Sequence, residues 1–134
     1  MKAFTDLEQS KKLAEILPLE SADMYYFTMI RDYPYSQGKI KTIAKIMDGS
    51  FSSDYDTPCW SLAALLNVLP FHLITNNQRY AFNMHKGLDK DGETYMFRYN
   101  VFNTDVCLYS TDYYNNPIDA CVEMIIKLHE LNLL

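Results

Sequence analysis

Glycine is scarce in this chain, with four glycines among 134 residues, and none belongs to a recognisable functional motif. The GxGxxG pattern, the Walker loop and the GxSxG pattern are absent, which removes the commonest nucleotide-binding and hydrolase signatures. The three cysteines lack CxxC spacing, which is typical of free thiols in a reducing cytoplasm. The three histidines lack the HxH and HxxxH spacings of zinc ligands. The sequence therefore predicts neither a bound metal nor another cofactor.

Long apolar runs and an excess of positive charge are also missing. No run approaches the about 20 apolar residues that a membrane span needs, and the N-terminal stretch lacks the apolar core of a signal peptide. The formal net charge of −5 argues against a protein that binds a phosphate backbone. A hydrophobic fraction of 49% and a charged fraction of 22% are globular values. We expect one globular domain, residues 1–134, in the cytoplasm. We expect no membrane partner, and the net charge disfavours a nucleic-acid partner.

The N-terminal segment predicts an amphipathic helix. Thr5 can cap it, and Glu8, three residues later, completes a capping box. An apolar stripe follows, and Pro18 stops the pattern. The predicted helix covers residues 5–17.

Two further segments predict helices. "TPCWSLAALLNVLP" has Thr57 as the cap and Pro58 in the first turn. Almost every residue between Trp60 and Leu69 is apolar, so it should be the most buried helix. "NNPIDACVEMIIKLHELNLL" begins at an Asn116 cap and has a wide apolar face suited to covering a sheet. Glu123 lies four residues before Lys127, which predicts an exposed helical pair.

The remaining segments predict strands. "MYYFTMIRDY" is rich in aromatic and β-branched residues. Residues 39–48 fit a strand or a helix, and a hairpin across "YPYSQG" favours the strand. The clearest alternation runs through "QRYAFNMH", "ETYMFRYNV" and "VCLYST", separated by turn residues, which predicts an antiparallel meander. A turn at residues 89–90 would place Phe82 opposite Phe97 and Tyr80 opposite Tyr99.

The predicted architecture is an α+β fold, a mostly antiparallel sheet whose aromatic face is covered by helices. The opposite, open face should carry six polar or aromatic side chains, with Arg98 opposite Tyr109. They are Arg79, Asn83, His85, Arg98, Asn100 and Tyr109. Such a face can stack bases of single-stranded nucleic acid, contact a protein or be a plain solvated face.

Cys59 is the single residue with the sharpest chemical interpretation. In the first turn of a predicted helix, the helix dipole would favour its thiolate. Catalysis would also need a base, for which His72, His85 and His129 are the candidates. The alternative is a small hydrophobic side chain packed beside Trp60.

Three segments carry a resemblance: "FTDLEQSKKLAEILPLESADMYY", "CWSLAALLNVLP" and "NPIDACVEMIIKLHELNLL". They resemble segments of small uncharacterised proteins of gut Bacteroidales genomes, prophages and mobile elements. The resemblance covers about half of the chain and implies no activity, cofactor or catalytic residue. It implies a free-standing accessory protein of the cytoplasm.

The favoured function at this point is non-enzymatic contact with another protein or with a second copy. Tyrosines in predicted loops, at positions 33, 35, 55, 113 and 114, support it because tyrosine is enriched at interfaces. The alternatives are an enzyme or ligand-binding protein that uses Cys59 with a histidine, and single-stranded nucleic-acid binding on the open face.

Overall fold

Two antiparallel sheets and three α-helices make up residues 2–28 and 42–134, which the computed structural model describes. In chain order the elements are α1 (Leu7–Ala14), β1 (Met24–Thr28), β2 (Thr42–Ile46), β3 (Thr57–Cys59), α2 (Leu62–Val68), β4 (His72–Thr75), β5 (Gln78–Asp89), β6 (Gly92–Val101), β7 (Cys107–Ser110) and α3 (Pro117–Glu130). A short 3-10 helix, Leu19–Ser21, precedes β1. The predicted α+β fold with an antiparallel meander is confirmed. The meander sheet is curled.

The four-stranded sheet has the order β4-β5-β6-β7, and β4 is a strand that the sequence pattern did not predict. Its central pairs include Tyr80–Val101, Phe82–Tyr99 and Met84–Phe97. The predicted register is therefore wrong by two residues, because the hairpin closes at Asp89 and Gly92, one residue later than expected. A shift by two residues leaves each side chain on its predicted face. The Phe82 ring still contacts that of Phe97, at a centroid distance of 5.3 Å.

The three-stranded sheet has the order β2-β1-β3. Phe27 of β1 pairs with Ile43 of β2, so the strand interpretation of this ambiguous segment holds for residues 42–46. On the other side, Met24 pairs with Cys59 of β3. The predicted "YPYSQG" turn and the tyrosines at 33 and 35 lie outside the described residues.

The helix α1 is shorter than predicted and has a different cap. The Gln9 N–H donates to Asp6 Oδ1 at 2.8 Å, and the Asp6 N–H donates to Gln9 Oε1 at 3.1 Å, which makes a complete capping box. Thr5 is instead buried, with its Oγ1 at 2.7 Å from Ser10 Oγ. The sequence signal was right in kind and displaced by one residue.

The helix α2 is also shorter than predicted and is not the most buried helix. Ser61 caps it, and residues 57–59 form β3 in place of a first helical turn. Within Leu62–Val68 only Leu65 is buried, since a helix of two turns can place few side chains against the core. In α3, by contrast, eight residues are buried. The apolar face of α3 packs against the four-stranded sheet, as its sequence predicted.

The core lies between α3, α2 and the covered face of the four-stranded sheet. Its largest fully buried members include Trp60, Phe97, Tyr99, Ile118, Met124, Ile125 and Leu128. Burial of each large apolar side chain contributes about 1.5–3 kcal/mol. The C-terminal tail turns back onto this core, because the Leu133 N–H donates to the Leu128 carbonyl at 2.9 Å and the Leu133 side chain packs on the cluster.

Candidate functional site

The open face of the four-stranded sheet, the face turned away from α3, carries a polar cavity. Side chains alternate along each strand, so with Phe97 and Tyr99 facing the core, Arg98 and Asn100 point the other way. Five of the six predicted open-face residues lie there, and four of them, Asn83, His85, Arg98 and Asn100, line a cavity of about 380 Å³. The remaining wall is the β6–β7 loop, residues 102–105. We call this space the Arg98 cavity.

Tyr109 does not belong to the open face, which corrects the prediction. It pairs with Tyr99, and Ser110 lies opposite Arg98. A register shift between Tyr99 and Asn100 interrupts the pairing of β6 with β7, and one extra residue reverses the facing of a side chain. The Tyr109 hydroxyl therefore donates to Glu123 of α3, at 2.7 Å, on the covered side.

The wall of the Arg98 cavity is held by hydrogen bonds from a buried amide. Asn100 is only 4% exposed, and its Nδ2 donates to the carbonyls of Val101 at 3.2 Å and Thr104 at 3.1 Å. Its Oδ1 accepts a hydrogen bond from Asn83 Nδ2. Asn103 has a φ of 56°, a left-handed value that asparagine tolerates and that turns the loop sharply. These contacts fix the loop beside the sheet.

Arg98 is the unusual residue of this site. It is partly buried, and its Nε is sealed from solvent without a hydrogen-bond partner. Among residues 2–28 and 42–134, the Arg98 side chain makes neither a hydrogen bond nor an ion pair. Asp105 lines the same cavity, yet no ion pair joins the two within that described part. A buried donor that lacks an acceptor costs about 1–3 kcal/mol. The terminal nitrogens of the guanidinium are not among the sealed atoms, and they can meet an acceptor from outside.

The other basic side chains of the open face are exposed. His85 lines the Arg98 cavity, whereas Arg79 pairs with Ile74 at the β4 side of the sheet and stays outside it. In the part of the chain that the structure describes, no group of three or more histidine, cysteine or carboxylate side chains could hold a metal. The side chains that line the cavity offer amide groups, charges of both signs and the His85 imidazole.

Cys59 lies in a setting that differs from the predicted one. It ends β3 and precedes α2, so the helix dipole does not act on it as a first-turn residue. The side chain is fully buried, while His72, His85 and His129 are all exposed. Burial raises the pKa of the Cys59 thiol to about 11, and the hydroxyls of Thr5 and Ser10 offset only part of that effect. The geometry matches the packed, structural alternative.

A second polar cluster was not foreseen from the sequence. Glu123 accepts hydrogen bonds from the Tyr114 hydroxyl at 2.6 Å and the Asp112 N–H at 3.2 Å, in addition to Tyr109. The predicted pair of Glu123 with Lys127 is not the one observed, because Lys127 lies 3.9 Å from Glu130. The cluster joins α3 to β7 and the segment after it. Since its acceptors are already occupied, we assign it a structural role.

No family model, curated protein or solved structure matches this chain. In residues 2–28 and 42–134, no helix has the length and apolarity to cross a bilayer.

Proposed function

We propose that this protein is a non-enzymatic binding protein that recognises another protein through the open face of the four-stranded sheet. The observation that carries the proposal is the state of Arg98, a partly buried guanidinium in the cavity wall that has no hydrogen-bond or ion-pair partner among the described residues. Buried charges are ordinarily paired. An acceptor supplied by a partner would meet the terminal nitrogens of this guanidinium and offset part of the cost of holding its charge partly buried.

The surroundings of the cavity support a protein partner. Phe102 is 77% exposed, Val106 is 56% exposed, and Ile74 on the outer strand β4 is 65% exposed. Arginine beside exposed aromatic and aliphatic side chains is the composition of interface hot spots. The Arg98 cavity would then anchor the contact, and the apolar side chains would exclude water around it.

The two other functions receive less support. A catalytic Cys59 would need a base at the thiol, and the three histidines are exposed while Cys59 is buried. Single-stranded nucleic acid would need stacking platforms, and with Tyr109 on the covered side, Phe102 is the aromatic residue among the described lining of the cavity. An accessory role encoded by a mobile element is also part of the proposal, and it rests on the resemblance alone.

Site-specific photo-cross-linking in host cells tests the proposal. A benzophenone amino acid at position 102 lies in the cavity wall, whereas the same group replacing Leu88, which is 81% exposed near the β5–β6 turn, provides a matched control. From position 102 we expect one cross-linked product that joins this chain to a different protein. We expect this product to be lost when the Arg98→Gln substitution is combined with the cross-linker.

Equal cross-linking from both positions, or a product that survives Arg98→Gln, would refute the proposed site. A product of twice the chain mass would replace the foreign partner with a second copy. Circular dichroism of the Arg98→Gln variant shows that the loss does not come from unfolding.

A further inference from the structure

We infer that the Arg98 cavity takes the carboxylate of an acidic side chain, aspartate or glutamate, supplied by the partner. This inference rests on the proposed function and names the chemistry that the site recognises. It follows from the charge of the open face, from the way Arg98 is held and from the size of the cavity.

The open face carries two arginines on a chain that is acidic overall. The net charge is −5, with 17 acidic residues. The titratable side chains that alternate onto this face from β4, β5 and β6 are His72, Arg79, His85, Arg98 and, at the β5–β6 turn, Asp89. Among the described residues that line the cavity, Asp105 is the acidic one, and it is exposed to water. Arg98 in the cavity and Arg79 on the same face are complementary to the carboxylates of an acidic partner segment.

The geometry of Arg98 favours a carboxylate in particular. Its Nε is sealed against the protein, so an incoming group meets the terminal nitrogens of the guanidinium. Those two nitrogens form the planar fork that matches the two oxygens of a carboxylate. Because the positive charge is delocalised over the whole guanidinium, an anion at the fork also compensates the charge of the buried part.

The volume of the Arg98 cavity and the position of Asp105 limit which ligands can bind there. A volume of about 380 Å³ is near the lower limit for ligand sites, which fits one side chain or a small molecule. Asp105 repels a phosphate dianion as it repels a carboxylate, so its charge disfavours both kinds of anion. A zwitterionic ligand, by contrast, would use Asp105 as a partner for its ammonium group. The effect of Asp105→Asn therefore has opposite signs for these two classes of ligand.

Nuclear magnetic resonance titration of the full-length protein tests the inference. The probes are N-acetylglutamic acid α-methylamide, its glutamine counterpart and inorganic phosphate. The signals are the Arg98 Nε–H and the side-chain amides of Asn83 and Asn100. We expect the glutamate probe to shift these signals and the glutamine probe to bind at least about tenfold more weakly, since it lacks the charge.

Variants distinguish recognition by the planar guanidinium of Arg98 from attraction by the general positive charge of the face. Arg98→Lys keeps the charge and loses the fork, and it should weaken the glutamate probe about tenfold. Arg79→Ala removes the other arginine of the same face, outside the cavity, and should leave affinity within about twofold. Asp105→Asn should strengthen the glutamate probe about twofold or more, because it removes a like charge.

Several results would overturn the inference. They are equal binding of the glutamine probe, tighter binding of phosphate, weaker glutamate binding in Asp105→Asn, and equal losses in Arg98→Lys and Arg79→Ala. If the glutamate probe fails while position 102 still cross-links, the acidic side chain is wrong and the protein-binding function stands. If the probe binds and no cross-link forms, the carboxylate comes from a free acid, which overturns the partner in both proposals.

Discussion

Replacing Tyr109 with phenylalanine tests the placement of this residue on the covered face. Its hydroxyl donates to Glu123 Oε2 at 2.7 Å, and Lys127 Nζ lies 5.2 Å from the ring centroid. The substitution keeps the ring and removes one hydrogen bond to a charged acceptor at a partly buried site. We expect the free energy of unfolding to fall by about 1 kcal/mol, measured by urea denaturation near neutral pH.

The same hydrogen bond makes stability depend on alkaline pH. Its donation to Glu123, with partial burial, raises the pKa of Tyr109 to about 12. A raised pKa in the folded state means that the contribution is complete below the unfolded pKa of about 10 and is lost as pH rises toward 12. The difference in unfolding free energy between the natural chain and Tyr109→Phe should therefore shrink across this interval.

Tyr113→Phe is the matched control for this experiment. Tyr113 is 62% exposed, and within the described ranges no hydrogen bond holds its hydroxyl. Its substitution should change stability by less than about 0.5 kcal/mol. If Tyr109→Phe costs no more than the control, or if the difference is the same at pH 8 and pH 12, the Tyr109 contact and the register of β7 are refuted.

Three further predictions follow from burial. In the native protein Cys107, which is exposed, should react with a thiol reagent, whereas the buried Cys59 and Cys121 should react only on unfolding; rapid labelling of Cys59 would contradict its packed setting. Phe97→Ala, at a fully buried position, should lower the free energy of unfolding by about 3–5 kcal/mol in urea denaturation; a loss below about 1 kcal/mol would contradict its core position. Arg98→Met should raise the free energy of unfolding by about 0.5–2 kcal/mol and abolish binding of the glutamate probe. Marked destabilisation would instead show that the guanidinium is needed for folding.

The alternation of side chains from residue 78 to 101 was sufficient to predict the meander and its covered face. A pleat presents every second residue to one side, so Phe97 and Tyr99 had to share the core whatever the register. The position of the turn was not predictable to one residue, because residues 89–92 offer a two-residue turn at 89–90 or at 90–91. That ambiguity accounts for the two-residue error in pairing.

The helix boundaries failed for a different reason. Thr57 and Ser61 are both acceptable caps, and local propensity does not choose between them. Pairing of β3 with β1, which places Cys59 beside Met24, selects Ser61. This long-range contact is not visible in the local pattern, and it removed the setting in which Cys59 was expected to be reactive.

The candidate site was predictable only in outline. Strand alternation brought Asn83, His85, Arg98 and Asn100 to one face, as expected. The cavity itself depends on the loop from 102 to 105, whose path is set by hydrogen bonds from buried Asn100. The sequence cannot show which cations remain unpaired, since that depends on distances of a few ångströms between separate strands and loops.

Arg98 differs from Lys2 and Lys86 in its ion pairing. Lys2 binds Asp119 at 2.8 Å, Lys86 binds Glu93 at 3.3 Å, and both lie at packing contacts between elements. By contrast, no ion pair joins Arg98 to Asp105 in the described part of the chain, although both line the same cavity. A chain with 17 acidic residues has ample means to neutralise one arginine. A cation kept unpaired beside a carboxylate is unfavourable for the isolated fold, and it becomes favourable once an external acceptor enters the cavity.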